Sequence, residues 1–321
     1  MQTLLIGDIH GCYAELQDLL DKAGLGEDAQ IIALGDVLDR GPESPQVFWF
    51  FQQTPHAQSL MGNHERKHVR GARREVKLAT SQEITQWQMG KTAYQHTLAW
   101  MQTLPIYLEL PEAILVHGYL EPNIPLSEQR PTVLTGTMSG DRYLTKTYDR
   151  PWYELYQGDK PVVVGHHDYQ RNGQAFIYQD RVYGLDTSCV HGKTLTGLLL
   201  PNFKTITVPS RQNHWRYVKQ AYREAIGWTP RPPKVRPKVM WAPADEAHLV
   251  AAIREAKEIC TTLLVALQAD PEYETLPPRQ QAKKFAQHLG DHDLAPLVHL
   301  ARRDELTLER AYRVFRGRIK G

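Results

Sequence analysis

The chain has 321 residues, 41% hydrophobic and 23% charged, which supports one large or two modest buried cores and excludes a disordered chain. The formal charge of +2 hides an asymmetry: residues 1–210 carry 18 Lys and Arg against 23 Asp and Glu, whereas residues 211–321 carry 20 against 13. No run approaches the roughly 18 to 20 apolar residues of a membrane span, no signal-peptide pattern precedes the first strand, and Cys12, Cys189 and Cys260 are too few and scattered for a disulfide framework or a Cys-x-x-Cys zinc site, so a cytoplasmic protein without membrane contact and with packing cysteines is expected.

Short apolar runs at 3–6, 31–34, 58–61, 113–116, 162–164, 182–185 and 195–200 read as strands separated by Gly- and Asp-rich loops. Between the first two, residues 13–23 place Leu16, Leu19, Leu20 and Ala23 on one helical face, and residues 31–61 repeat the order strand, loop, helix, strand, which predicts an α/β fold. From Trp228 to Pro243 closely spaced prolines forbid helix and favour an extended connector. Three segments are therefore expected: a catalytic domain at 1–209, an extension and Pro-rich linker at 210–243, and a basic helical domain at 244–321. In the last, Leu249, Ile253, Ala256, Cys260, Leu263 and Leu267 alternate spacings of four and three, giving an amphipathic helix of about two dozen residues, with further helices near 279–289, 294–303 and 306–318.

Five strand ends offer metal ligands: Gly7-Asp8-Ile9-His10-Gly11, Gly35-Asp36-Val37-Leu38-Asp39-Arg40-Gly41, Gly62-Asn63-His64-Glu65, Val116-His117-Gly118 and Val164-Gly165-His166-His167. In open α/β sheets the carboxyl ends of strands converge on one crevice, so residues spread from 8 to 166 can meet at one point. Carboxylate, imidazole and carboxamide without thiolate suit Mn²⁺, Fe²⁺ or Zn²⁺ rather than an all-oxygen calcium site. The donors exceed what one ion needs, so two divalent ions sharing a carboxylate are expected, Mn²⁺ first, with Fe²⁺ or Zn²⁺ as alternatives.

At this order and spacing, Gly-Asp-x-His-Gly, Gly-Asp-x-x-Asp-Arg-Gly and Gly-Asn-His-Glu resemble the signature of the calcineurin-like metallophosphoesterases, in the branch that contains the Ser/Thr protein phosphatases. The run from Gly184 to Thr196 is similar to the closing strand pair of bacterial diadenosine tetraphosphatases and of the phosphatase domain of polynucleotide kinase-phosphatases. The resemblance covers about 1–209 and implies a two-sheet β-sandwich flanked by helices, a four-layer arrangement. It implies that Asp8 and His10 hold one metal, that Asp36 bridges, and that Asn63, His117 and His166 hold the second, with His167 as fallback for His166. It also implies that Asp186 supports the second metal site through hydrogen bonds. The family's Asp-Thr-Gly is here Asp186-Thr187-Ser188, a departure that touches the turn. His191 stands where the family often has an aromatic residue and reads as pocket wall. His56, His68 and His96 have no motif around them and read as surface or packing residues.

The chemistry implied is phosphate-ester hydrolysis, in which two cations share a water, acidify it and aim it at phosphorus. His64, by the resemblance no ligand, would protonate the leaving oxygen, with Asp39 orienting it. Arg40 offers a planar fork to two phosphate oxygens. A second phosphate-binding arginine is Arg142 or Arg150, and the sequence does not choose. The leading expectation is a phosphatase of phosphoproteins or small phosphomonoesters; the alternatives are a dinucleoside polyphosphate hydrolase and a nucleic-acid end phosphatase with an RNA-binding tail. For the latter, Arg302, Arg303, Arg310, Arg313, Arg316, Arg318 and Lys320 supply positive charge, as does the run Arg66, Lys67, His68, Arg70, Arg73, Arg74 and Lys77, although each also reads as a solvated helix face.

Overall fold

The computed structural model describes residues 2–227 and 243–315. The Pro-rich stretch at 228–242 lies outside the described residues, as do Arg316, Arg318 and Lys320 and the side chain of Arg313. The chain divides into two compact units, Met1–Thr229 and Pro230–Gly321.

The first unit runs β1 (Thr3–Ile6), α1 (Tyr13–Ala23), β2 (Gln30–Ala33), α2 (Ser44–Gln53), β3 (Ala57–Ser59), α3 (Asn63–Ala72), α4 (Thr80–Met101), β4 (Tyr107–Glu109) and β5 (Ile114–Val116). It continues with α5 (Pro131–Leu134), α6 (Met138–Thr147), α7 (Trp152–Leu155), β6 (Val162–Val164), β7 (Phe176–Tyr178), β8 (Val182–Gly184), β9 (Thr194–Leu200), β10 (Lys204–Pro209) and α8 (His214–Ala225). Two five-stranded sheets form, in the orders β10-β9-β1-β2-β3 and β4-β5-β6-β8-β7. In the first sheet β1 runs parallel to β2, with Leu4 opposite Ile31, and antiparallel to β9, with Leu4 opposite Leu199.

Alternation along the strands sorts the core into layers. Leu5, Ile32, Leu198 and Leu200 of the first sheet pack with Leu115, Val163 and Tyr183 of the second, so the sheets face one another across a shared apolar interior. The other face of the first sheet, with Leu4, Ile6, Ile31 and Leu199, buries Leu16 and Leu19 of α1, Val47 and Phe48 of α2, and Met89 and Met101 of α4. The outer face of the second, with Val162, Val164 and Val182, is covered by Leu134, Leu144 and Trp152. The result is the expected mixed α/β, four-layer arrangement.

The first unit does not stop at Pro209. α8 belongs to it: His214 is buried with its Nε2 2.7 Å from Glu15 Oε1 of α1, Trp215 packs on the core, and Tyr222 meets Trp87 of α4 at 5.8 Å between ring centroids.

In the second unit α9 (Pro243–Gln268), α10 (Pro278–Leu289), α11 (Ala295–Arg302) and α12 (Leu308–Phe315) enclose a separate core. The stripe read from the sequence forms one side of it: Leu249, Ala256, Cys260 and Leu267 are buried, and Ile253 and Leu263 pack against them. Of its basic residues, Arg302 lies over the Phe285 ring at 4.9 Å and Arg310 pairs with Glu305 at 2.6 Å.

Candidate metal centre and active site

Six strands deliver one residue each to a common point: Asp8 beyond β1, Asp36 beyond β2, Asn63 beyond β3, His117 after β5, His166 after β6 and Asp186 after β8. The turns that aim them require unusual backbone. His10, Asp36, Asp39, Arg40 and His166 all have positive φ, between 47° and 72°, a conformation that side-chain-bearing residues rarely adopt and that clusters at functional sites. Ser188, standing at the family's glycine, adopts φ 59°, so the glycine conformation is kept with a side chain present. At Gly62 an added Cβ would run into the carboxylate of Asp36, so this glycine is fixed by close approach.

The loops are stitched to one another. His10 N donates to Asp36 O at 2.9 Å, His64 N to Asp36 Oδ1 at 2.9 Å, and His166 N to Asp8 Oδ1 at 2.8 Å. Glu65, fully buried at the start of α3, accepts from the amides of Asp36 (2.9 Å), Val37 (3.1 Å) and Gly62 (3.0 Å), tying the loop after β2 to that after β3. Burial and then the charge of Asp36 push its carboxyl up to about 6.

Two donor clusters share Asp36: His10, Asp36 and His64, and Asp36, His117 and His166. His117 Nε2 lies 3.4 Å from Asp36 Oδ1 and 3.1 Å from Asn63 Oδ1, while its Nδ1 is held by the carbonyl of Leu34 at 2.9 Å. Burial alone would lower the His117 pKa, but Asp36, Asp8 and Glu65 outweigh it and raise it to about 10. His166, half-buried, is lowered to about 3 by desolvation and the neighbouring His117. Of the doubled histidines it is therefore His166 that joins the cluster; His167 is exposed and sets its ring against Tyr169 at 4.6 Å.

Divalent cations suit this donor set. Burial and then Asp186 raise the Asp8 carboxyl well above its usual range, a mutual penalty between two acids that a cation would relieve. The oxygens and imidazole nitrogens around Asp36 match ions of intermediate hardness.

Asp186 differs from expectation. It does not reach His117 or His166; its Oδ1 accepts from Ser188 N at 2.9 Å within its own turn, and its charge bears on Asp8. It lines one cavity with Asp8, His10 and His166. Neither expected second arginine enters that cavity: Arg142 is exposed on α6, and Arg150 lines a neighbouring one. The cations lining the site cavity are instead Arg40, Arg171 and Lys193, with His191 in its wall as expected. Arg40 Nη1 lies 2.9 Å from His10 Nε2, and Lys193 Nζ is 2.6 Å from Asp168 Oδ2.

His68 is the residue most underestimated by sequence reasoning. It is fully buried, its Nε2 2.8 Å from Asp39 Oδ1 and its Nδ1 2.9 Å from the Tyr94 hydroxyl. Asp39 Oδ2 faces His64 Nδ1 at 2.6 Å, and Gln82 and Thr85 of α4 donate to the same carboxylate. Burial alone would raise Asp39, but His68 and His64 hold it well below the usual carboxylate range. The available signal was spacing: 64 and 68 share a helix face.

The calcineurin-like phosphoesterase profile matches residues 1–186, more than half of the chain. The chain belongs to the calcineurin-like phosphoesterases. Membership makes it a phosphoric ester hydrolase and implies divalent metal ions. This phosphoesterase is 31% identical over 238 residues to the bis(5′-nucleosyl)-tetraphosphatase PrpE, asymmetrical, of Halalkalibacterium halodurans, spanning 66% of this chain and 95% of that one. The protein of the same name from Bacillus subtilis is 29% identical over 232 residues, 64% and 93% of the two chains. A solved structure described as a candidate diadenosine tetraphosphatase superimposes with a TM-score of 0.52 at 26% identity, covering 65% of this phosphoesterase and 93% of that chain.

Proposed function

We propose that this phosphoesterase hydrolyses dinucleoside polyphosphates of the diadenosine tetraphosphate kind. The observation that carries the proposal is the cavity in which Arg40, Arg171 and Lys193 gather beside Asp8, His10 and His166. A phosphomonoester, the leading expectation from sequence, needs one such fork; a chain of phosphates engages several cations at once. The names of the relatives point the same way.

Asp8, His10, Asp36, Asn63, His117 and His166 would hold two divalent ions, for which Mn²⁺, Fe²⁺ and Zn²⁺ all match this mixed oxygen and nitrogen set. When bound, such ions neutralise phosphate charge and acidify a water for attack on phosphorus. Arg40 sets its guanidinium against the equatorial phosphate oxygens, where charge accumulates in the transition state. His64 is oriented by Asp39 through Nδ1, leaving Nε2 on the Asp36 side of the ring, 3.9 Å from Asp36 Oδ2. From Nε2 a proton passes to the bridging oxygen as its bond to phosphorus breaks. The ionised Asp39 stabilises the imidazolium before transfer, and His68, Gln82 and Thr85 hold Asp39 in place.

A substrate panel in Mn²⁺ tests the proposal: diadenosine tetraphosphate, a phosphopeptide and a 3′-phosphorylated oligonucleotide, compared by kcat/KM. Preference for the dinucleotide is expected. Preference for the phosphopeptide restores the monoesterase expectation, and preference for the oligonucleotide the nucleic-acid one.

A further inference from the structure

Beside the metal centre lies a second cavity of about 420 Å³, within the roughly 300 to 1,000 Å³ of small-molecule sites, which the chemistry above does not use. Its lining is aromatic. Tyr119 and Trp152, only 7% and 6% exposed, form the floor, with Tyr148, Tyr153 and Tyr169 around them. The Trp152 indole N–H donates to the Tyr169 hydroxyl at 3.3 Å, and Tyr153 meets Tyr169 edge-on at 5.7 Å, which fixes the rings against one another.

This cavity adjoins the site. His167 lines both, and the Tyr119 ring meets that of His166 at 5.4 Å, nearly perpendicular. Arg40, Arg171 and Lys193 line the neighbouring site cavity, among Asp8, Asp168 and Asp186, with Lys193 paired to Asp168. One cavity offers ring faces and the other cations able to meet phosphate. A substrate with an aromatic group close to one phosphate and more phosphates beyond it matches both. At the rim Asp141 supplies a carboxylate able to accept from an exocyclic amine.

Resting on the dinucleoside polyphosphate reading, we infer that the cavity floored by Tyr119 and Trp152 is a nucleobase subsite, holding the base of the nucleotide whose phosphate is attacked at Arg40 while the remaining phosphates lie along Arg171 and Lys193. Stacking supplies the affinity, since every base presents a π-face to such rings. The arrangement is asymmetric about the attacked phosphorus. Water oxygen bonds to that phosphorus, the bond to its bridging oxygen breaks, and the bridging oxygen leaves with a proton, so a tetraphosphate divides into a nucleoside monophosphate retained in the aromatic cavity and a nucleoside triphosphate.

The test uses the full chain with added Mn²⁺ and two variants: Thr145→Trp, which fills the cavity from an exposed rim position on α6, and Tyr148→Ala, which removes a wall. The ratio of kcat/KM for diadenosine tetraphosphate to kcat/KM for inorganic tripolyphosphate is measured. It is expected to fall about tenfold in each variant, the order of one lost stacking contact. A wild-type ratio in both overturns the subsite and leaves the proposed activity standing. Equilibrium dialysis of ATP against tripolyphosphate supplies an arm independent of turnover. If the wild type does not hydrolyse the dinucleotide, the proposed activity fails; tighter ATP binding that Thr145→Trp abolishes still supports the subsite, and equal affinity for the two ligands in all three proteins overturns it. Circular dichroism of each variant separates misfolding from lost recognition.

Discussion

Asp39 is shared between two imidazoles: its Oδ2 lies 2.6 Å from His64 Nδ1 and its Oδ1 2.8 Å from His68 Nε2. Only His64 faces the metal centre, so His68 acts by positioning. His68→Ala leaves a buried carboxylate short of one partner, which costs about 1–3 kcal/mol, and frees the His64 ring to tilt. We expect a lower thermal midpoint and about a tenfold drop in kcat with little change in KM, while bound metal measured by elemental analysis stays at the wild-type level. An unchanged kcat would show that Gln82 and Thr85 hold Asp39 without help.

Asp36 sits in both donor clusters and is the carboxylate placed to bridge. Asp36→Asn is expected to abolish hydrolysis of an aryl phosphate in Mn²⁺, a loss of at least about 10³-fold if a bridging charge is removed. Full activity in this variant would reject the bridging role.

His64→Ala should retain metal and slow turnover most for substrates with poor leaving groups, because protonation of the leaving oxygen matters most there. The measurement is kcat across aryl phosphates of graded leaving-group pKa. A slope no steeper than wild type excludes His64 as the acid, and lost metal reassigns it as a ligand.

Away from the centre, Glu15 of α1 accepts from His214 Nε2 at 2.7 Å and from Arg211 N at 2.9 Å. Burial alone would raise its pKa, but these partners lower it to about 2 from 4.5. A depressed carboxylate stabilises the fold above its unfolded pKa and loses that contribution as pH falls through 4.5 towards 2. The shift corresponds to about 3 kcal/mol at neutral pH. Urea denaturation should show Glu15→Gln destabilised by that order at pH 7, with the gap to wild type closing below pH 4. A gap constant with pH would assign the loss to packing alone.

The sequence was most informative where chemistry and backbone coincide. Asp8, Asp36, Asn63, His117 and His166 each follow an apolar run that ends in a glycine-rich turn, and the structure brings them together. The strands that escaped, β4, β7 and β10, are all edge strands. With one neighbour and partial exposure they lack the apolar continuity of central strands. His68, Gln82 and Thr85 were illegible for another reason: α3 and α4 approach Asp39 through tertiary packing, and no local motif encodes that approach. Arg171 and Lys193 were overlooked because the turn that presents Arg171 and the loop that holds Lys193 meet through tertiary contacts, among them Asp168, which accepts from Arg171 N at 2.6 Å and from Lys193 Nζ at 2.6 Å.

The four amides gathered by Glu65, of Asp36, Val37, Leu38 and Gly62, have a consequence for anyone exchanging parts between relatives. Together with His64 N, which donates to Asp36 Oδ1, Glu65 binds the loop after β2 to the start of α3, so residues 35–65 form one cassette. A graft that imports the 35–41 loop without position 65 brings in amides with no acceptor, whereas a transplant of the whole cassette carries its own scaffold. Chimeras of this fold therefore have no seam within that segment, and a transplant must also keep His68, Gln82 and Thr85 as the partners of Asp39.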